Sequence, residues 1–311
     1  MRNQFVRTLC ELAEIDNEII LITADLGFGV LTDFWERFPK RFINAGISEQ
    51  NMTSVATGMA LEGNKVFTYS IANFTTLRCL EQIRNDAAYH NANVNIVSVG
   101  GGFSYGALGM SHHATEDLAI LRALPNITVF APGDLFETIE VIKAAIKING
   151  ACYIRLGKGG EPSIHSNKLT NFKVGKALKV IDGDEVCIFS TGTILYEAAK
   201  AANNLNLTGI STALYSFPTV KPIDADTIIG CAKKYKFIIT VEEHNIIGGF
   251  GSAVAEVLAE LKGEHAFLRK IGLNDVYSSN VGSQEYLRNY YGICSEEIEK
   301  KVFELIEKKE V

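Results

Sequence analysis

Four groups of residues have types and spacings that could do chemistry. The first is Glu49, in the stretch Phe42-Ile43-Asn44-Ala45-Gly46-Ile47-Ser48-Glu49-Gln50-Asn51-Met52. Ser48 stands where a helix cap belongs, so Glu49 falls in a first helical turn. On the surface, a carboxylate there complements the helix dipole. In an apolar pocket, desolvation favours its neutral, proton-donating form. Local pattern leaves both readings open. The second group is His112-His113, in a stretch with few helix or strand signals. Adjacent histidines tend to point to different sides, so at most one faces a given site. That one is either a general acid–base or donor to a polar substrate, or a loop residue bonded to backbone. The third is Arg155 and Lys158, which follow a strand-like run among glycines. They could hold an anion such as a sugar phosphate, or they are solvated charge beside a linker. The fourth is the glycine and acidic clusters. Gly248-Gly249-Phe250-Gly251-Ser252 lacks the lysine of a P-loop and the spacing of a dinucleotide fingerprint, so it predicts a tight turn into a helix. Asp182-Gly183-Asp184 offers two carboxylates without further oxygen ligands, so it predicts a turn and no metal site.

These residues sit at the ends of apolar runs of strand length. Such runs are read at Glu18–Thr23, Lys65–Tyr69, Val94–Val99, Asn126–Phe130 and Cys152–Arg155. Helical patterns alternate with them: residues 3–14, Phe34–Phe38, a helix from Glu49 to Leu61, about Thr75–Tyr89, Thr115–Ala123 and Leu135–Lys147. In the Glu49 helix, Met52, Val55, Ala56, Met59 and Ala60 have the spacing of a core-facing stripe. A second strand–helix series starts at Glu185 and includes strands at 209–215 and 237–241 and helices at 194–204, 222–235 and about 252–261. Apolar strands alternating with helices imply an α/β fold of mostly parallel sheets covered on both faces. The expected division is a first domain at 1–160, a polar linker at 161–176, and a second domain at 177–311. Ligands of such sheets bind beyond the carboxyl ends of strands. Those ends are Asp25-Leu26, Ser70–Phe74, Gly100–His113 and Arg155–Gly160.

The totals exclude several classes. The net charge is −6, with no basic cluster interleaved with aromatics, which argues against a nucleic-acid partner. The apolar runs are too short to span a bilayer, and the first residues lack the apolar stretch of a signal peptide. Six cysteines with no CxxC pair read as buried free thiols, and the expected compartment is the cytoplasm.

Taken together, the motifs resemble the carboxyl-terminal half of transketolase over essentially the whole chain. They are Ala24-Asp25-Leu26, Asn44–Met52, Glu81-Gln82-Ile83-Arg84, Gly109-Met110-Ser111-His112, Glu116-Asp117-Leu118-Ala119, Pro132-Gly133-Asp134 and Val241–Ser252. The resemblance implies a pyrimidine-binding domain followed by a transketolase C-terminal domain, with thiamine diphosphate as cofactor. It implies that Glu49 hydrogen-bonds the ring nitrogen of the aminopyrimidine and favours its imino tautomer. Asp25 and Leu26 match residues near the cofactor, and Ser70 precedes the stacking aromatics. His112 matches a histidine that contacts the donor's hydroxyls and the oxygen of the reacting carbon. Lys158 falls where relatives place an arginine that holds substrate phosphate, with Arg155 close by. The implied reaction is transfer of a two-carbon ketol unit from a ketose phosphate to an aldose.

The chain departs from that pattern in places. Ala72 and Thr75 stand where relatives carry stacking aromatics, leaving Phe74 or Tyr69 for that role. Leu108 replaces an aspartate that reads a substrate hydroxyl, and Gly100 replaces a histidine of the phosphate end. The Gly-Asp-Gly motif with which full-length relatives bind Mg2+ and the diphosphate does not occur. The expectation is therefore a split enzyme. An N-terminal subunit supplies the diphosphate and Mg2+ half, and the assembly is an α2β2 heterotetramer with Glu49 protonated at the interface. The alternatives are a chain like deoxyxylulose-phosphate synthase, the beta chain of a 2-oxo acid dehydrogenase, or a non-catalytic stabilising partner.

Overall fold

The computed structural model describes residues 1–307. The chain opens with α1 (Arg2–Ile15) and β1 (Ile19–Thr23), then α2 (Thr32–Arg37), β2 (Phe42–Asn44) and α3 (Glu49–Leu61). Next come β3 (Lys65–Ile71), α4 (Ala72–Thr76), α5 (Leu80–Gln82), β4 (Val94–Val99), α6 (Asp117–Ala123), β5 (Ile127–Phe130), α7 (Leu135–Ala145) and β6 (Ala151–Leu156). Every residue of β1, β4 and β6 is buried, as apolar strands covered on both faces must be. Strands β2, β1, β3, β4, β6 and β5 pair in that order, all parallel. One face packs Phe5, Leu9, Phe67 and Ile154; the other packs Ile22, Met52, Ile96 and Tyr153.

The second series is β7 (Leu178–Ile181), β8 (Val186–Ser190), α8 (Leu195–Leu207), β9 (Thr212–Ser216), β10 (Thr219–Lys221), α9 (Ala225–Lys234), β11 (Phe237–Asn245), α10 (Phe250–Ala259), β12 (Phe267–Leu273), α11 (Gln284–Tyr290) and α12 (Ser295–Glu307). Its sheet runs β12-β11-β8-β9-β7, parallel except at β7. The two-domain, mostly parallel architecture is thus as expected. β10 departs from the expected division, because it pairs antiparallel with β5 and completes the first domain's sheet.

The domains are joined by buried polar bonds. Arg155 Nε donates to Asp117 Oδ2 at 2.8 Å, and Tyr153 Oη donates to the same oxygen at 2.6 Å. Arg155 Nη2 donates to the carbonyls of Ala114 and Glu243 at 2.8 and 2.9 Å. The Glu243 carboxylate in turn accepts from Phe103 N at 2.6 Å and Arg288 Nε at 2.8 Å. The linker is pinned as well. Asp134 caps α7 with one oxygen and accepts from Ile164 N and His165 N with the other, at 3.0 and 2.9 Å.

The helix expected at 75–89 is broken. α4 stops at Thr76, and the chain turns at Leu77–Cys79, where Cys79 N donates to Thr76 O. Beyond α5 the hydrogen bonds widen to i→i+5, as between Tyr89 N and Arg84 O at 3.1 Å. Periodicity alone does not register such a break.

Candidate functional site

Glu49 is 3% exposed at the start of α3. The buried residues of this helix are Glu49, Met52, Thr53, Ala56 and Thr57, whereas Val55 is 38% exposed. Of the expected stripe, Met52 and Ala56 are buried and Met59 and Ala60 pack against the core, while Val55 turns outward. The register that buries Met52 and Ala56 carries Glu49 with it, at i, i+3 and i+7. Thr53 and Thr57 enter the interior because their hydroxyls donate back to the carbonyls of Glu49 and Thr53, at 2.9 and 3.0 Å. Ser48 holds the cap position, but its hydroxyl donates to Ala45 O at 2.7 Å instead of capping the helix. Glu49 is not alone in its pocket: its Oε2 accepts from Arg78 Nη1 at 2.7 Å.

Arg78 comes from the turn that breaks the helix. Its guanidinium carbon lies 4.4 Å from the centroid of the Phe74 ring. Phe74 in turn meets the His112 ring edge-on, with centroids 5.2 Å apart. Ala72 and Thr75 face the core, as does Tyr69, which stacks on Phe5 and whose hydroxyl burial pushes well up. Of the two aromatic candidates, Phe74 alone is beside Glu49's ion pair. Ser70 is buried at the end of β3, and its Oγ has no hydrogen-bond partner among the described residues.

The histidine pair divides as expected of neighbours on a turn. His112 is half-buried beside Phe74, and Ser111 Oγ is 3.0 Å from its Nδ1. His113 is buried, edge-on to Phe103, with Nε2 3.3 Å from Gly106 O. Burial holds the His113 imidazole below its ordinary value. Beyond His112 comes Tyr105, its ring centroid 6.4 Å away, and Lys158 Nζ lies 5.2 Å from the Tyr105 centroid. Gly100 explains where Tyr105 sits. A Cβ at Gly100 would strike Tyr105 Cδ2, so the ring fills the space a side chain at 100 would take. Glu49, Arg78, Phe74, His112, Tyr105 and Lys158 thus form one line of contacts.

Asp25 and Leu26 follow the end of β1 and make no hydrogen bond or ring contact with the members of this line among the described residues. Asn44 fixes them. It donates to Asp25 Oδ1 at 3.0 Å, and its Oδ1 accepts from Asp25 N at 2.9 Å and Gly46 N at 3.0 Å. Asp25 takes a positive φ of 54°, which an Asp tolerates better than most residues. Leu26 lines a cleft of about 320 Å3 with Thr23, Phe28, Trp35 and Phe42.

Arg155 does not join the line. It is 4% exposed, and its Nε and Nη2 protons are taken by Asp117 and two carbonyls. In this arrangement the guanidinium reaches the second domain through the Glu243 carbonyl, while Lys158 is exposed. The glycine run at 248–252 is a helix entry, as the sequence predicts. Phe250 N and Gly251 N donate to the Glu242 carboxylate at 2.7 and 2.8 Å, so an internal acid fills the spot a phosphate would need. Burial pushes Glu242 up to about 7 against the pull of those bonds.

Models of the transketolase pyrimidine binding domain and the transketolase C-terminal domain match residues 1–161 and 175–298. The chain belongs to the transketolase family. It is 39% identical to a chain described as a putative transketolase C-terminal section of Methanocaldococcus jannaschii, covering 99% of this chain and 96% of that one. It is 35% identical to one of the subunits of an apulose-4-phosphate transketolase of Phocaeicola vulgatus, covering 99% and 97%. Among solved structures it is similar to a split gene transketolase in an inactive beta4 tetramer, with a TM-score of 0.88, 36% identity and coverage of 97% and 96%.

Three residues of this candidate site escape a reading by motif. Arg78 falls inside an expected continuous helix, where nothing marks it. Tyr105 lies in a loop, and only the odd glycine at 100 hints at its place. Asn44 is visible as part of a motif, but its bridging of two strand ends needs the sheet order.

Proposed function

We propose that this chain is the C-terminal, beta-type subunit of a split thiamine-diphosphate-dependent transketolase of the cytoplasm. It transfers a two-carbon ketol unit from a ketose phosphate to an aldose, with an N-terminal subunit holding Mg2+ and the diphosphate in an α2β2 assembly. The observation that carries this is the line from Glu49 through Phe74 and His112 to Lys158 beyond the carboxyl ends of the strands.

The residues present fit an aminopyrimidine. Glu49 offers a buried carboxylate whose Oε1 takes no hydrogen bond among the described residues, and Phe74 offers a ring face beside it. When bound, the cofactor supplies a carbanion equivalent for the transferred carbons. Glu49 would hold a proton toward the pyrimidine ring nitrogen, where a dry setting strengthens the bond. Phe74 would set the plane of the ring. His112 is half-exposed on the far side of Phe74, placed to donate to a sugar oxygen or take its proton. Lys158 is exposed and can swing onto a phosphate as a point charge without a guanidinium fork. The likeness to a chain of the apulose-4-phosphate transketolase, itself an enzyme of more than one subunit, supports the split arrangement.

The test is Glu49→Gln in the assembled complex. Turnover is expected to fall by roughly 10²–10⁴-fold, the usual weight of a positioned proton donor, with assembly unchanged by light scattering. Unchanged turnover would leave the chain a purely stabilising component.

A further inference from the structure

We propose that Arg78 is a built-in occupant of the pyrimidine pocket, displaced from Glu49 when the cofactor binds. The inference rests on the cofactor reading above. Arg78 makes two contacts at once. Nη1 donates to Glu49 Oε2 at 2.7 Å, and the guanidinium carbon lies 4.4 Å from the Phe74 centroid. A planar N–C–N group that donates to a carboxylate while lying on an aromatic face satisfies the two contacts an aminopyrimidine would make. Both groups cannot occupy Oε2 and the same face of Phe74 together.

The chain is built to release it. The Arg78 side chain is 44% exposed, whereas that of Glu49 is 3% exposed. Arg78 stands on the turn between α4 and α5, outside the regular ladder of either helix, next to exposed Leu77. The pairing also has a reason in the uncombined chain. A buried carboxylate without a partner is costly, and Arg78 supplies the partner until a ligand does. Release is therefore coupled to binding. If the closed form holds about nine-tenths of the molecules, apparent affinity is lowered about tenfold.

The probe is the aminopyrimidine fragment 4-amino-5-hydroxymethyl-2-methylpyrimidine, which needs only this chain's half of the site. Binding to the full chain is measured by calorimetry, and the Arg78 Nε–H resonance is followed by NMR during the titration. The expected results are about tenfold tighter binding by Arg78→Met, weaker binding by Glu49→Gln, and a shifted Arg78 resonance in the wild-type chain. Arg78→Gln replaces the methionine variant if that one does not fold, and the resonance needs no variant at all. Equal or weaker binding by Arg78→Met and Arg78→Gln, with Glu49→Gln still impaired, would overturn the occupant role and leave the cofactor reading standing. An unmoved Arg78 resonance at saturating probe would do the same. Binding unaffected by Glu49→Gln, or no binding to any variant, would sink the cofactor reading and the occupant with it.

Discussion

At the scale of residues, the site is a set of side chains whose environments separate similar groups. Glu49 and Glu242 are both buried carboxylates, yet one meets a displaceable guanidinium and the other two fixed backbone amides. His112 and His113 are neighbours, yet one meets the line of contacts and the other the core. Gly100 shows how a single small residue shapes the anion-facing end. Its φ of +102° favours glycine, and a Cβ there would collide with the Tyr105 ring. Gly100→Ala is expected to cost about 1–3 kcal/mol and to displace Tyr105 from Lys158. Denaturant unfolding checks the first part, and near-ultraviolet circular dichroism of the tyrosines checks the second. Glu49 and His112 were singled out in the sequence because each stands in a motif with fixed spacing, and Lys158 because its position matches an arginine of relatives. Arg78 and Tyr105 were not, because a single arginine or tyrosine carries no pattern until the fold places it.

At the scale of elements, the register of α3 decides what Glu49 can do. Spacing of apolar residues points to Met52, Val55, Ala56, Met59 and Ala60, of which Val55 alone is turned out at 38% exposed. The buried face takes in Thr53 and Thr57 instead, which a hydrophobic count overlooks because their hydroxyls find carbonyls one turn back. The observed register therefore separates two residues of the expected stripe. Met52→Ala is expected to cost about 2–5 kcal/mol. Val55→Ala is expected to cost less than about 0.5 kcal/mol in the uncombined chain. In chemical denaturation, a Val55→Ala cost as large as that of Met52→Ala would contradict this register. The linker gives a prediction in pH. Burial pulls the His165 imidazole down, but its bond to Glu137 at 2.9 Å and the charges of Glu137 and Asp134 outweigh that, leaving it raised. The folded value exceeds the unfolded one near 6.5, so the stabilisation is complete below about pH 6.5 and fades as pH rises through the folded value. The Tm gap between wild type and His165→Ala is expected to be widest near pH 6 and to narrow toward pH 8 and above. A gap independent of pH would mean the clamp is not ionic.

At the scale of the whole molecule, the strand–helix alternation made most of the two parallel sheets legible, including β1, β3, β4 and β6, while the edge strands β7 and β12 were not read. Nor was the crossing of β10, because a three-residue strand leaves almost no trace in sequence. Together with the bond from Arg155 Nη2 to the Glu243 carbonyl, that crossing ties the two domains. Arg155→Met should leave Asp117 buried without its cation and destabilise the chain by roughly 3–5 kcal/mol. Calorimetry would then show either a lower Tm or two separated transitions. A Tm within a degree of wild type would contradict this structural role for Arg155. The same rigid frame presents half of a site at one sheet edge, and its meaning depends on what completes it. The most direct measurement is ketol-transfer turnover, with thiamine diphosphate and Mg2+, of this chain alone, of an N-terminal transketolase chain alone, and of the two mixed. A split site predicts no turnover from either chain, turnover from the mixture, and its loss when the mixture carries Glu49→Gln in an intact assembly. Turnover by this chain alone, or a Glu49→Gln mixture as active as wild type, would contradict it.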